Sequence, residues 1–365
     1  MDIPKELPRL TFYRGRVAMY HILKALGVGP GDAVATQAFT CVAVPEGILA
    51  TGAKPVFVDT EEGGVNMCPT DLERKLDGRV KAVIVQHTFG IPAQMAELRS
   101  ILGRHGLPIV EDCCHTYAST YVNQVVGTFG AGAFYSFEWG KPLIAGIGGS
   151  AILNDNSLFK SVEAGWESCH EPSFVRVLKI QLQYAAFMAL YKPSKYWQVR
   201  SMFQRLSRSG AAEGNYNPTE GVAEDFSMKM AAPLRKRLRS LVPKADQIRQ
   251  NAQEIVAKYE GGLRSRRIRK PLVPNGGVPV YARYPLLSPE KARMIARAEE
   301  ANVEVAEWYK TPIHPLDRDD WAQVHYEPGS CPRAEMLSDE IVSLPVNQKV
   351  TDRDIERTLR LLEEF

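Results

Sequence analysis

The first 155 residues alternate short β-branched runs with segments of helical period, and no other feature of the chain limits its fold as much. Ala33–Thr36, Pro55–Asp59, Val80–Gln86 (VKAVIVQ), Pro108–Asp112, Ala133–Phe137 and Gly149–Leu153 read as strands. Between them, Gly15–Leu26, Pro45–Ala50, Asp71–Leu76 and Glu97–His105 read as helices. Gly27 stops the first of these, and Gly29-Pro-Gly-Asp32 makes a turn. Such alternation predicts an α/β fold, with a mostly parallel sheet flanked by helices on both faces. Ligands bind such sheets outside the C-terminal strand ends. Asp59, His87, Asp112, His115, Ser136 and Lys141 all follow strands, so they are expected to converge on one rim.

A length of 365 residues suggests two domains. We place a large one over 1–245 and a smaller C-terminal α/β domain over 246–365. The latter reads as strand, helix (290–301), strand, loop and a last helix from Asp352. Residues 234–260 read as a charged helix broken near Pro243. With 45 basic and 42 acidic residues the net charge is only +3, which argues against nucleic-acid binding. The start shows no signal-type apolar stretch, and no 18-residue apolar run occurs, so a cytoplasmic location is expected. Cys113 and Cys114 are adjacent, and the six cysteines form no CxxC pair. They read as reduced thiols with no metal site. Residues 172–212 carry seven basic residues, seven aromatics and no acid, and a GNYNPTEG linker follows. A basic, aromatic amphipathic helix suits an anionic membrane surface, giving possible peripheral membrane contact through 172–212. Cover for a partner subunit or for the mouth of the site is the preferred account of that segment. The basic run 264–270 reads as a solvated face.

Three short motifs carry chemistry. In Ser136-Phe-Glu-Trp-Gly-Lys141, a lysine sits in an open loop after an apolar strand, where it can act as a carbonyl-binding nucleophile. In Ile109-Val-Glu-Asp112-Cys-Cys-His115, a strand-end acid can hold a pyridinium N–H. Arg14-Gly15-Arg16 opens a helix whose backbone N–H groups suit a phosphate. Alone, each has an ordinary structural reading: a surface lysine, a solvated acid, a common helix start. Their order along the chain gives them weight together.

That order resembles a fold-type I pyridoxal-phosphate enzyme and, more narrowly, the DegT/DnrJ/EryC1/StrS family of sugar aminotransferases. GRVAMYHILKALGVGPGDAV, AFTCVAVPEGILATGAKPVFVD, VIVQHTFGIPAQM, PIVEDCCHTYAST, VGTFGAGAFYSFEWGKPL and GIGGSAILND follow in family order. WYKTPIHPL and CPRAEMLSDEIVSLPVN resemble its C-terminal segments. The resemblance implies pyridoxal 5'-phosphate as cofactor, Lys141 as the Schiff-base lysine and Asp112 at the pyridine nitrogen. It implies Ser136, Gly15 and Arg16 at the phosphate, with His115 near the phenolic oxygen, where its charge would respond to pH. Thr40 and Cys41 fall where the family has threonine and a stacking aromatic, with Phe39 or Trp139 as substitutes for the missing ring. His314 and Tyr309 fall near the substrate. Ile147 stands where the family has glutamate. Asp225 is nearest to its partner-subunit asparagine; that acid would repel a phosphate unless Arg16 offsets it. The implied activity moves an amino group from an amino acid, glutamate above all, to a nucleotide-linked keto-deoxy sugar in a homodimer. Two alternatives stand beside it: a regulatory protein without turnover on the same fold, and the family's sugar dehydratases. Those dehydratases carry histidine in place of lysine, so Lys141 argues against them.

Overall fold

In the structure, a computed structural model, residues 10–210, 212, 213 and 222–365 are described. The GNYNPTEG linker lies outside them. The strands are β1 (Leu10–Phe12), β2 (Ala33–Gln37), β3 (Thr40–Cys41), β4 (Lys54–Val58), β5 (Val80–Gln86), β6 (Ile109–Asp112), β7 (Thr120–Tyr121), β8 (Gln124–Val125), β9 (Gly132–Ser136) and β10 (Gly149–Leu153). Seven of them form one sheet in the order β1-β10-β9-β6-β5-β2-β4. The run from β9 to β4 is parallel, while β10 is antiparallel to both of its neighbours. β1 is too short to show a pattern in the sequence, yet it decides where the first helix begins. It is antiparallel to β10, with Phe12 opposite Gly149, so the chain leaves β1 on the rim where β6 and β9 end.

The helices of this half are α1 (Gly15–Ala25), α2 (Ala43–Ala50), α3 (Pro69–Lys75), α4 (Met95–His105), α5 (Asn156–Ser168), α6 (Phe174–Leu190) and α7 (Tyr196–Arg208). α1 buries Val17, Ala18, Met19, Ile22 and Leu23 against the sheet. Burial of each larger side chain is worth roughly 1.5–3 kcal/mol. Asp155 caps α5 by accepting from the Ser157 and Leu158 N–H groups. The predicted 234–260 helix is two, Ala232–Leu241 and Ala245–Gly262, joined by a 3-10 turn at Val242–Lys244 that contains Pro243. In the C-terminal part Arg283–Leu287 pairs with Ile341–Pro345, flanked by helices Lys291–Glu300 and Asp352–Leu362. Their core includes Ile255, Tyr284, Leu286, Met294, Val342, Leu344 and Ile355, and also Trp197 from α7.

Successive residues of a strand face opposite sides, and β6 uses this to split its two acids. Glu111 turns away from the side that Asp112 faces. It accepts from the backbone N–H of Gly127 (2.6 Å), Phe129 (2.7 Å) and Gly130 (2.8 Å) and lies 3.1 Å from His87 Nε2. His87 Nδ1 accepts from the Ala93 N–H, so its Nε2–H donates to Glu111. His87, Glu111 and Cys113 cluster closely. The donors around the Glu111 oxygens and both imidazole nitrogens already account for that cluster, which therefore reads as structural. Removing the carboxylate strands several buried donors. Glu111→Ala should cost about 3 kcal/mol or more of unfolding free energy, read from the urea midpoint.

Asp59 also leaves the expected rim. Its carboxylate accepts from Arg333 N–H (3.1 Å) and Ala334 N–H (2.8 Å), at the start of helix Pro332–Glu340. It thus joins the two halves of the chain and does not line the cavity described next.

Candidate active site

A cavity opens where β6 and β9 end and α1 begins. Gly15, Arg16, Cys41, Asp112, His115, Ser136, Lys141 and Tyr309 all line it, eight of the ten residues assigned to the site from sequence. Thr40 and His314 are not among its lining residues. The close start of α1 depends on two glycines. A Cβ on Gly149 would lie 2.4 Å from backbone atoms of Arg14 and Gly15. One on Gly15 would lie 3.2 Å from Ser136 Cβ. The helix therefore begins in contact with the end of β9. Arg14 at its N-cap makes no side-chain capping bond, and its first turn holds no acid. Its leading N–H groups and dipole are suited to an anion.

Asp112 is 4% exposed. It accepts from the Cys114 N–H at 2.9 Å. Burial pushes its carboxyl above the ordinary range, against the pull of that N–H and of Lys141. A cationic N–H facing it would relieve that penalty, so the donor set fits a protonated pyridine ring. Lys141 is half-buried, with Nζ 4.9 Å from the centroid of the Trp308 ring.

The anion end carries more charge than the sequence reading assigned. Arg14 Nε donates to Asp225 (3.0 Å) and Nη1 to Glu138 (3.1 Å). Arg16 donates to Glu46 (2.6 Å) and Asp225 (3.3 Å). Asp225 therefore meets both arginines, and Arg16 does offset it, with Arg14 sharing the task. Arg14, Glu138 and Trp308 were missed as site residues, whereas Cys114, read as a core thiol beside the cofactor, does line the cavity. Glu138 had a visible signal: Ser136 and Glu138 line the cavity while Phe137 and Trp139 do not, an alternation with period two.

Several expected roles change. Thr40 is fully buried and donates to Gln86 Oε1 at 2.6 Å, so its hydroxyl belongs to the sheet interior. Neither Phe39 nor Trp139 replaces the missing aromatic at Cys41. Phe39 packs edge-on to Tyr309, and Trp139 packs on Tyr184 and Phe187. Ile147 is buried in the core with Met230 and Leu234. His115 sits in a more enclosed setting than anticipated. Its Nδ1 accepts from the Phe89 N–H (3.1 Å), so Nε2–H donates to Tyr309 Oη (3.1 Å). Burial, aided by Lys141, pushes it well below the usual histidine range, in keeping with the accepting Nδ1 of a neutral ring. His314 stacks on Tyr309, its Nδ1 accepting from the Lys310 N–H. Burial pushes it down to about 3.

A histidine whose folded value is depressed binds fewer protons folded than unfolded. Its contribution to stability is complete above about pH 6.5 and shrinks as pH falls toward the folded value. Below that pH each such ring steepens the loss by up to about 1.4 kcal/mol per pH unit. His314→Gln should flatten the profile of unfolding free energy against pH between 6 and 4 relative to the parent; an unchanged slope would remove His314 from this role.

A lysine and a buried carboxylate beyond the parallel strand ends, beside a helix start suited to an anion, match the layout of a fold-type I pyridoxal-phosphate transferase. The comparisons agree. DesV from S. venezuelae, solved with a ketimine intermediate, superposes with a TM-score of 0.73 at 23% identity, covering 97% of this chain and 84% of that one. A Streptococcus pneumoniae structure in its PLP form gives 0.73 at 20% identity, over 97% and 87%. Among sequences, a Geobacillus stearothermophilus "pleiotropic regulatory protein" is 29% identical over 96% of this chain and 83% of its own. The dTDP-3-amino-3,4,6-trideoxy-alpha-D-glucose transaminase of Streptomyces venezuelae is 25% identical over 96% and 81%. GDP-perosamine synthase of Escherichia coli O157:H7 is 34% identical over 41% of each chain. The DegT/DnrJ/EryC1/StrS aminotransferase family model matches residues 9–363, and the chain belongs to that family. It is a pyridoxal-phosphate-dependent sugar aminotransferase.

Proposed function

We propose that the chain transfers an amino group from glutamate to a nucleotide-linked keto-deoxy sugar, as a homodimer. The observation that carries this reading is one lysine, Lys141, sharing a cavity with the buried Asp112 carboxylate and the uncapped start of α1. When bound, pyridoxal phosphate supplies the electron sink for the pair of electrons left at the donor's α-carbon. Lys141 Nζ takes the α-proton of the amino donor and, in the second half-reaction, returns a proton to the sugar carbon that receives nitrogen. Asp112 keeps a proton on the ring nitrogen. Gly15, Arg16 and Ser136 hold the phosphate. Neutral His115 fixes the Tyr309 hydroxyl at the cavity wall, and Cys41 leaves room there that an aromatic would fill. Support for the acceptor class comes from the relatives' names, which include dTDP- and GDP-linked aminosugar enzymes.

The test is a visible cofactor band that shifts on adding glutamate, followed by mass spectrometry of products from a panel of nucleotide-linked keto sugars. The Geobacillus relative's name favours a second, regulatory reading. A band that does not move with glutamate or glutamine, and no aminated product, would decide for it. Light scattering should give twice the chain mass, since isologous two-fold pairs are the commonest assemblies; a catalytically competent monomer would contradict the dimer.

A further inference from the structure

The part of the chain that the chemistry leaves unused is the α6–α7 hairpin. α6 has two distinct faces. Ile180, Tyr184 and Phe187 turn inward: Ile180 is buried beside Gly146, the Tyr184 ring carries the Arg237 guanidinium at 3.5 Å, and Phe187 packs on Trp139. On the outward side lie Phe174 (80% exposed), Val175 (62%), Leu178 (46%) and Leu182 (63%). Positions 174, 178 and 182 stack as one stripe at helical spacing, continued by the exposed Ala185 and Ala189. Met202 and Leu206 repeat the pattern on α7. Most of the exposed large apolar side chains among the described residues belong to this hairpin. An exposed apolar stripe of this kind along α6 marks an interaction surface.

The charges that the segment 172–212 itself carries have one sign. Arg176 is spent inside the protein, on Glu213, Glu224 and Asp225, and Arg200 faces Glu307. Lys179, Lys192, Lys195 and Arg205 remain exposed, and residues 172–212 hold no acid. A second copy docked isologously on this face would set these cations against themselves. An anionic lipid surface complements them, with the apolar stripe entering the acyl boundary and the lysines at the head groups. α6 has 17 residues, about 25 Å of helix, and no helix among the described residues is long and apolar enough to cross a membrane. The helix therefore lies in the plane of the surface. We infer that α6 and α7 form a docking face for an anionic bilayer, through the Phe174–Leu182 stripe and its flanking lysines.

The experiment is flotation of the cofactor-loaded full chain with vesicles of phosphatidylglycerol and phosphatidylcholine, against phosphatidylcholine alone, at low and high salt. The parent should float with the anionic vesicles at low salt and be released by high salt. Leu178→Asp with Leu182→Asp, and separately Lys192→Glu with Lys195→Glu, should each lower the partition at least about tenfold. Circular dichroism and transaminase activity report that the variants are folded. If the aspartate pair does not fold, the exposed lysine pair carries the test alone. Parent protein left unbound at low salt, or variants that bind like the parent, would overturn the inference. So would an aspartate pair that changes the mass in light scattering while vesicle binding is absent, because a second copy would then cover the stripe.

Discussion

Replacing Lys141 with alanine should remove steady-state transamination, by about a thousandfold or more. The loss combines two functions of one side chain: the covalent hold on the carbonyl and the proton transfer at the reacting carbon. General acid–base catalysis alone is commonly worth about 10²–10⁴. Among the described residues, no second lysine lines the cavity to take over either function. The effect should fall on kcat, and exogenous small amines should restore part of it, because the rest of the pocket remains. Borohydride reduction of the loaded parent protein, followed by peptide mapping, should place the label on Lys141. A label on any other lysine sinks the assignment.

Asp112→Asn should follow, with a fall of about a hundredfold or more, the scale seen when one preorganised electrostatic partner is removed from a reacting centre. The amide matches the carboxylate in size and can keep the Cys114 N–H bond, so the fold and part of the cofactor affinity should survive. What it cannot do is stabilise a positive charge on a ring nitrogen. The burial that pushes the Asp112 carboxyl upward makes the site depend on that charge pairing. Near-normal turnover in the variant would mean that the ring's partner lies elsewhere.

The sheet and its rim were legible because strand and helix periods alternate without ambiguity up to residue 155, and because parallel topology then dictates where the polar ends gather. β1 was not legible: three residues carry no usable period, and its place comes from pairing with a strand far along the chain. Asp59 and Thr40 show a further limit. Each stands at or near a strand end in the sequence, yet each is committed to interior partners, and which side of a strand a terminal residue takes depends on register. The Arg14–Asp225–Arg16 arrangement was half visible. Asp225 was noticed as an acid out of place, but its neutralisation by Arg14, Arg16 and Arg176 needs the fold that brings residue 225 back to the start of α1. The exposure of the α6 stripe could not be read either, because a helical apolar period looks the same whether its face is covered or open.

Ile313–His314 pairs in parallel with Thr40–Cys41, and Tyr309 reaches His115. These contacts join segments made early and late during synthesis. A nascent chain whose main sheet has already emerged from the ribosome still lacks one wall of its pocket until the segment around residue 314 follows. Contacts so distant in sequence close late. Firm capture of the cofactor is therefore expected to follow completion of the chain, and a cell short of pyridoxal phosphate would accumulate finished protein without cofactor, not stalled fragments.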